Sequence, residues 1–296
     1  MNKISFFLIL LFIPILGFTQ QIPLNTQYTY DLYQINPAAA GSTDGMPLSL
    51  SVRKLWLGID GSPSIQTLSG HIQVVDRMGV GAKIYNFSEG PLRNTGFEGT
   101  YAYHLPLGEG STKLAFGLTA SFFQYSLDKT KLDVQDPNDP ALQGDSKKMV
   151  PDATFGTLIY NEKYFAGITI QQLFQGKINL GTQGIADQKR VRHYFVHWGY
   201  NFDINEDIRL QPSVLFKFIE AGVIQADINT RMTYRKMINF GLSYRTGDAL
   251  SIQLGYQNDN LLFGYAYDLA LSDIRTQTSG SHEIVFIYKL PNFIKK

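Results

Sequence analysis

The stretch INFGLSYRTGDALSIQLGYQNDNLLFGYAYDL, residues 238–269, decides the fold. In Ile238–Arg245, Ile238, Phe240, Leu242 and Tyr244 alternate with Asn239, Gly241, Ser243 and Arg245. In Leu250–Gln257, Leu250, Ile252, Leu254 and Tyr256 alternate with Ser251, Gln253, Gly255 and Gln257. In Leu261–Leu269, Leu261, Phe263, Tyr265, Tyr267 and Leu269 oppose Leu262, Gly264, Ala266 and Asp268. Successive side chains of a strand point to opposite faces, so each run carries one apolar and one polar face. Upstream, Ile224–Tyr234 repeats the pattern, with Ile224, Ala226, Ile228, Met232 and Tyr234 opposing Gln225, Asp227, Asn229 and Arg231.

A soluble β-sandwich also alternates, and two features separate it from a membrane barrel. The apolar faces end in aromatic residues, at Tyr101, Tyr103, Tyr194, Trp198, Tyr200, Tyr244, Tyr256 and Tyr288, as interface girdles require. The opposite faces carry Gly, Ser, Gln and charges, which a watery lumen tolerates and a dry inter-sheet core does not. The expected fold is therefore all-β, a transmembrane antiparallel β-barrel of the bacterial outer-membrane type. It has about fourteen strands, an even number as such barrels require. The first is expected at Pro47–Lys54 and the last at Ser281–Leu290. Others are expected at Gly79–Tyr85, Gly96–Leu105, Asp152–Tyr160, Tyr164–Leu173 and Arg192–Phe202. If both termini are periplasmic, the compact connections, such as Asn161–Lys163 and Arg235–Met237, face the periplasm. The long ones, Asp128–Pro151 and Phe174–Val191, face the exterior, and that asymmetry is the barrel rule.

Composition agrees. Charged residues are only 17 % of the 296-residue chain, too few to cover a soluble surface comfortably. A formal net charge of +1 carries no basic footprint for nucleic acid. The absence of cysteine excludes disulfides, thiolate metal sites and cysteine nucleophiles. At the start, Lys3 precedes an apolar run, Ile4–Leu16, and small residues Gly17 and Thr19 stand at −3 and −1 of a cleavage site. The run is shorter than the roughly 20 residues of a spanning helix, so a signal peptide over 1–19 is expected. Residues 20–46 then precede the barrel, which is expected over 47–296.

The most distinctive text lies near the N-terminus. It reads Ile35-Asn36-Pro37-Ala38-Ala39-Ala40-Gly41, then Arg53, Trp56, Gly58, Asp60-Gly61-Ser62-Pro63, Gln66-Thr67 and Ser69. This resembles the PorP/SprF family of type IX secretion outer-membrane proteins, whose pattern is INPAxAG followed by RxxWxGxxGxPxTxxxS. Ile65 stands just before Gln66-Thr67, a small departure in the Thr spacing. Gly90-Pro91, Tyr101-Ala102-Tyr103, Leu114–Leu118 and Asp136-Pro137 extend the likeness over the mature chain. The resemblance implies a non-enzymatic barrel that helps deliver or hold large surface proteins, including gliding adhesins. It also implies partners among the periplasmic parts of the apparatus, and a periplasmic or plug-like N-terminal segment over residues 20–46. Asn36, Pro37, Gly41, Arg53, Trp56, Asp60, Gly61 and Pro63 become candidates for partner binding.

Each motif also has a plainer reading. Asn36-Pro37-Ala38 matches the water-channel triplet, but a single copy without a spanning helix is a turn initiator, with Gly41 free to take positive φ. Trp56 reads first as a girdle residue. Alternatively, Trp56, Asp60, Gly61 and Pro63 make a rigid loop over the lumen. Asp133, Asp136, Asp139 and Asp145 lack the ligand ladder of a calcium loop and read as a solvated turn. His193 and His197 share a strand face with Phe195 and, like His71 and His104, point inward, where lumenal hydrogen bonding is expected. No Ser-His-acid trio is visible, so no enzyme is expected, and no cofactor or metal. Inward charges of both signs, Arg53, Lys83, Glu98, Lys217, Asp227, Arg231, Arg245, Asp268 and Glu283, favour a lumen closed by salt bridges over a wide pore. A substrate-permeable channel for small solutes is the alternative function.

Overall fold

The computed structural model describes residues 24–132, 147–179, 187–220, 222, 224–292 and 294. The expected signal peptide and its cleavage site lie outside these residues, as do Asp133, Asp136, Asp139 and Asp145. The described residues form fourteen barrel strands. These are β1 (Met46–Lys54), β2 (Ser64–Val75), β3 (Met78–Glu89), β4 (Leu92–Pro106), β5 (Lys113–Leu127), β6 (Lys147–Tyr160) and β7 (Tyr164–Gln171) in the first half. The second half comprises β8 (His193–Tyr200), β9 (Ile208–Ile219), β10 (Ile224–Tyr234), β11 (Ile238–Arg245), β12 (Ala249–Gln257), β13 (Leu261–Ala270) and β14 (Ser281–Leu290). Each strand pairs antiparallel with its sequence neighbours, and β1 pairs with β14, which closes the sheet and leaves no open edge around the ring.

The two faces separate as the alternation requires. Leu68, Ile84, Leu118, Phe122, Ile168, Ile228, Leu254 and Ile284 are about half exposed on the outer wall. In water that band would be an aggregation surface, whereas in a bilayer it meets its own kind. Trp198, Tyr200, Tyr256 and Tyr288 stand exposed near one rim and Tyr244 near the other. The inner positions Asn239, Ser243, Arg245, Ser251, Gln253, Asp268 and Glu283 are buried, so the lumen is filled.

Several strand ends differ from expectation. β3 runs to Glu89 and β4 begins at Leu92, so only Gly90-Pro91 joins them, and the side-chain ladder Gln66–Asn86–Thr95 extends the sheet there. β6 begins at Lys147, not Asp152. Pro151 does not stop it, because one missing donor is tolerated where a strand's far side is not fully paired: β6 meets β7 only from Phe155 onward. β7 ends at Gln171, where Gln172 takes a φ of 61°. β8 stops at Tyr200, and Phe202-Asp203 form a separate short ladder with Arg209 and Leu210. Within the long connection after β7, Lys177–Asn179 pairs with Asp187–Lys189.

Candidate functional site

The interior is occupied by the chain's own N-terminal segment. Three short 3₁₀ turns, Tyr28–Tyr30, Leu32–Gln34 and Pro37–Ala39, stack inside the barrel before Gly45 leads into β1. The last turn is built by its sequence. Pro37 presets φ at the first helical position, and Asn36 is the N-cap, its Oδ1 accepting from Ala38 N–H at 2.9 Å. The Asn36 amide then donates to Thr157 O (2.9 Å) and to His197 Nε2 (3.0 Å). With its oxygen committed to Ala38, the amide nitrogen faces the imidazole, so His197 Nε2 is the acceptor.

Two further histidines hold the same segment. His71 Nδ1 accepts from Gly41 N–H (3.0 Å), which leaves its Nε2–H toward Asp31 at 3.3 Å. His104 Nε2 donates to Ala40 O (2.8 Å) while its Nδ1 accepts from Tyr160 OH (2.9 Å). Each neutral ring thus offers one donor and one acceptor. Tyr33 OH meets Thr100 at 2.9 Å, and Asn229 donates to Tyr28 OH at 2.8 Å. Arg231 covers the Tyr30 ring at 4.6 Å. Lumenal hydrogen bonding by histidine was legible, but its partner was not.

Backbone lies on backbone at the seat. A Cβ at Gly117 would fall 2.3 Å from Ala38 N, and one at Gly79 would fall 2.0 Å from Ala40 O. Gly156 and Gly167 make the same room beside Asn36. The apolar turn therefore packs with Ala102, Ala115, Leu158 and Phe165 as one buried cluster. These wall glycines were missed as functional residues. Their signal was present, because they fall on the inward positions of otherwise regular strands, where a glycine marks close backbone approach.

Toward the long-loop rim the charges form paired networks. Arg53 contacts Asp268 (2.6 Å) and Glu283 (3.3 Å), Arg245 contacts Asp227 (2.9 Å) and Asp248 (3.1 Å), and Lys83 contacts Glu98 (3.3 Å). Above the N-terminal segment remains a recess of about 790 Å³, floored by Tyr33, Ile35, Asn36 and Pro37. Arg53, Trp56 and Pro63 line it as well, so five of the eight candidate residues surround one cavity. Gly41 lies below, against β2 and β3, while Asp60 and Gly61 are exposed on the loop above. The first reading of Trp56 is corrected: it borders the recess rather than the lipid interface, held by a φ of 48° and by donation from its N–H to Ser281 Oγ (3.1 Å).

Arg190, in the long connection before β8, is buried. Its guanidinium lies over Phe123 at 3.9 Å and reaches Asp152 at 3.3 Å. Lys147 and Lys148 belong to β6. His193 Nδ1 bonds Val191 O, so the two histidines of β8 serve different neighbours. Among the described residues no group of three metal-ligating side chains converges.

A family model described as "Type IX secretion system membrane protein PorP/SprF" matches residues 17–288. The chain belongs to the PorP/SprF family. This PorP/SprF protein is accordingly an outer-membrane component of type IX secretion, a family that works with the other parts of that system. No curated protein matches it at the level of sequence. Solved structures with the same barrel architecture include the toluene transporter TbuX of Ralstonia pickettii, at 15 % identity and a TM-score of 0.51, over 86 % of this chain and 92 % of that one. A FadL homologue of Pseudomonas aeruginosa gives 11 % identity and 0.51, over 90 % and 95 %. The CymD monoaromatic hydrocarbon channel gives 12 % and 0.51, over 93 % and 96 %. At such identities the likeness concerns the fold.

Proposed function

We propose that this PorP/SprF protein is a non-enzymatic holder, a sealed barrel that helps secrete, present or anchor large surface proteins such as gliding adhesins. The observation that carries this reading is the N-terminal segment seated across the lumen. It leaves a recess of about 790 Å³ above its own floor, far too small to pass a folded domain. By the barrel rule the recess opens to the exterior, between the long loops. Asn36, Pro37 and Gly41 then shape the floor, while Arg53, Trp56, Asp60, Gly61 and Pro63 shape the mouth where a client docks. Long loops held at their ends by a rigid wall suit that role.

The test shortens residues 133–146 and 180–186 together and leaves Arg190 and Asp152 in place. The barrel should still insert and remain heat-modifiable, while the client leaves the cell surface for the medium. Unchanged display would place recognition elsewhere. Planar-bilayer recording of the intact protein should show no steady open pore, and a stable conductance would favour the solute-channel reading instead.

A further inference from the structure

β1 and β14 are the only neighbouring barrel strands that no chain connection joins directly. They pair along the whole of β1, from Met46 opposite Leu290 to Lys54 opposite His282. Bringing them together closes a loop almost as long as the barrel domain, so this seam carries the largest closure entropy in the ring.

The N-terminal segment crosses the seam from inside. Thr26 N–H and Gln27 N–H donate to the two carboxylate oxygens of Glu283 on β14, at 2.6 and 3.0 Å. Arg53, the register partner of Glu283 on β1, donates to Leu24 O (2.6 Å), to Glu283 Oε2 (3.3 Å) and to Asp268 Oδ2 on β13 (2.6 Å). Thr26 Oγ1 donates to the same Asp268 oxygen at 2.9 Å. Arg53, Asp268 and Glu283 are all buried. We propose that residues Leu24–Gln27 are an internal clasp that keeps the first and last strands of the barrel paired.

The chemistry follows from the oxygens of Glu283. Arg53 reaches only Oε2, and Oε1 accepts from Gln27 N–H. Removing the segment leaves a buried carboxylate oxygen without a donor and Arg53 without two of its acceptors, Leu24 O and Thr26 Oγ1, the latter at 2.5 Å. A buried charge with unfilled hydrogen bonds is costly. Apart from the β1–β14 backbone ladder itself, the remaining hydrogen bonds across the seam lie at or beyond its ends. Leu57 N–H donates to Gly280 O (2.7 Å) at one end, and Asn292 Nδ2 to Gln73 O (3.0 Å) at the other. The clasp sits one residue pair inside the long-loop end of the ladder, at Arg53 opposite Glu283.

The experiment uses the full-length protein in lipid nanodiscs. The chain has no cysteine, so engineered pairs carry the only labels. Spin labels at Val52 and Ile284, outward-facing register partners across the seam, are compared with labels at Tyr101 and Leu118, an equivalent pair across β4 and β5. In Glu283→Gln and Glu283→Ala the seam pair should gain a longer-distance population, and the β4–β5 pair should keep its single short one. If either variant fails to insert, it is rebuilt with Ser51→Cys and Val285→Cys, register partners at the seam whose disulfide replaces the clasp, and folding should return. Equal changes at both label pairs, no change at the seam, or no rescue by the disulfide would each overturn the proposal.

Discussion

Replacing Gly117 by Ala tests the seat of the N-terminal segment with a single methyl group. The added Cβ would stand 2.3 Å from Ala38 N and from Pro37 C, and 2.6 Å from Pro37 O. Non-bonded carbon contacts rest near 3.5–4.0 Å, so the gap is short by roughly 1 Å or more. All three obstacles are backbone, and none can rotate away. The turn Pro37–Ala39 must translate, and Asn36 goes with it, stretching bonds now at 2.9 and 3.0 Å to Thr157 and His197. Overpacking of this kind costs about 1–3 kcal/mol, and an orphaned buried polar group about 1–3 kcal/mol more, giving roughly 2–6 kcal/mol in all. The control is Gly99→Ala on the outer face of β4, where nothing lies within 4 Å. It should stay within about 0.5 kcal/mol of the parent. Guanidinium unfolding in detergent micelles compares the two, and single-channel recording reports whether the displaced segment leaks ions. If Gly117→Ala were as stable and as tight as Gly99→Ala, the backbone-on-backbone seat would be refuted.

Three further outcomes are expected. Leu254, half exposed on the outer wall, should cost about 2–4 kcal/mol when changed to Arg if it lies near the bilayer midplane, and an indifferent Leu254→Arg in lipid-based unfolding would reverse the facing. N-terminal sequencing of the mature protein should begin at Gln20, and a chain retaining Phe12 or Leu16 would count against cleavage after Thr19. In the short-turn connection after β8, the hydrogen bond from Arg209 (2.6 Å) holds the Asp203 carboxyl below its ordinary value. A lowered folded value makes that contribution present above about pH 4 and lost as the pH falls through it. Arg209→Gln should raise the Asp203 value in an NMR titration while leaving stability at pH 7 almost unchanged, since the pair is exposed.

The barrel was legible because its signal is local. A period of two needs only neighbours in sequence, and β5, β11 and β14 match their expected bounds residue for residue. The misread ends have local causes too. Pro151 and the weakly patterned Asn86–Ser88 look like breaks until a cross-strand partner is known. Of the candidate site, the sequence marked Asn36, Pro37, Gly41 and Arg53 through family text and turn chemistry. It carried no sign that His71, His104 and His197, from three different strands, grip one segment.

By itself, then, the sequence determined which side chains face lipid, how many strands cross, where the long loops fall and which family the text resembles. Alternation and composition write these directly into the order of residues. Tertiary structure alone decided that residues 24–41 lie within the wall, that Gly117 and Gly156 exist to admit them, that Trp56 borders the recess and that Arg190 is buried over Phe123. Each of these depends on residues tens to hundreds of positions apart, such as Thr26 and Glu283. Only closure of the ring, with β1 laid beside β14, brings such groups to one place.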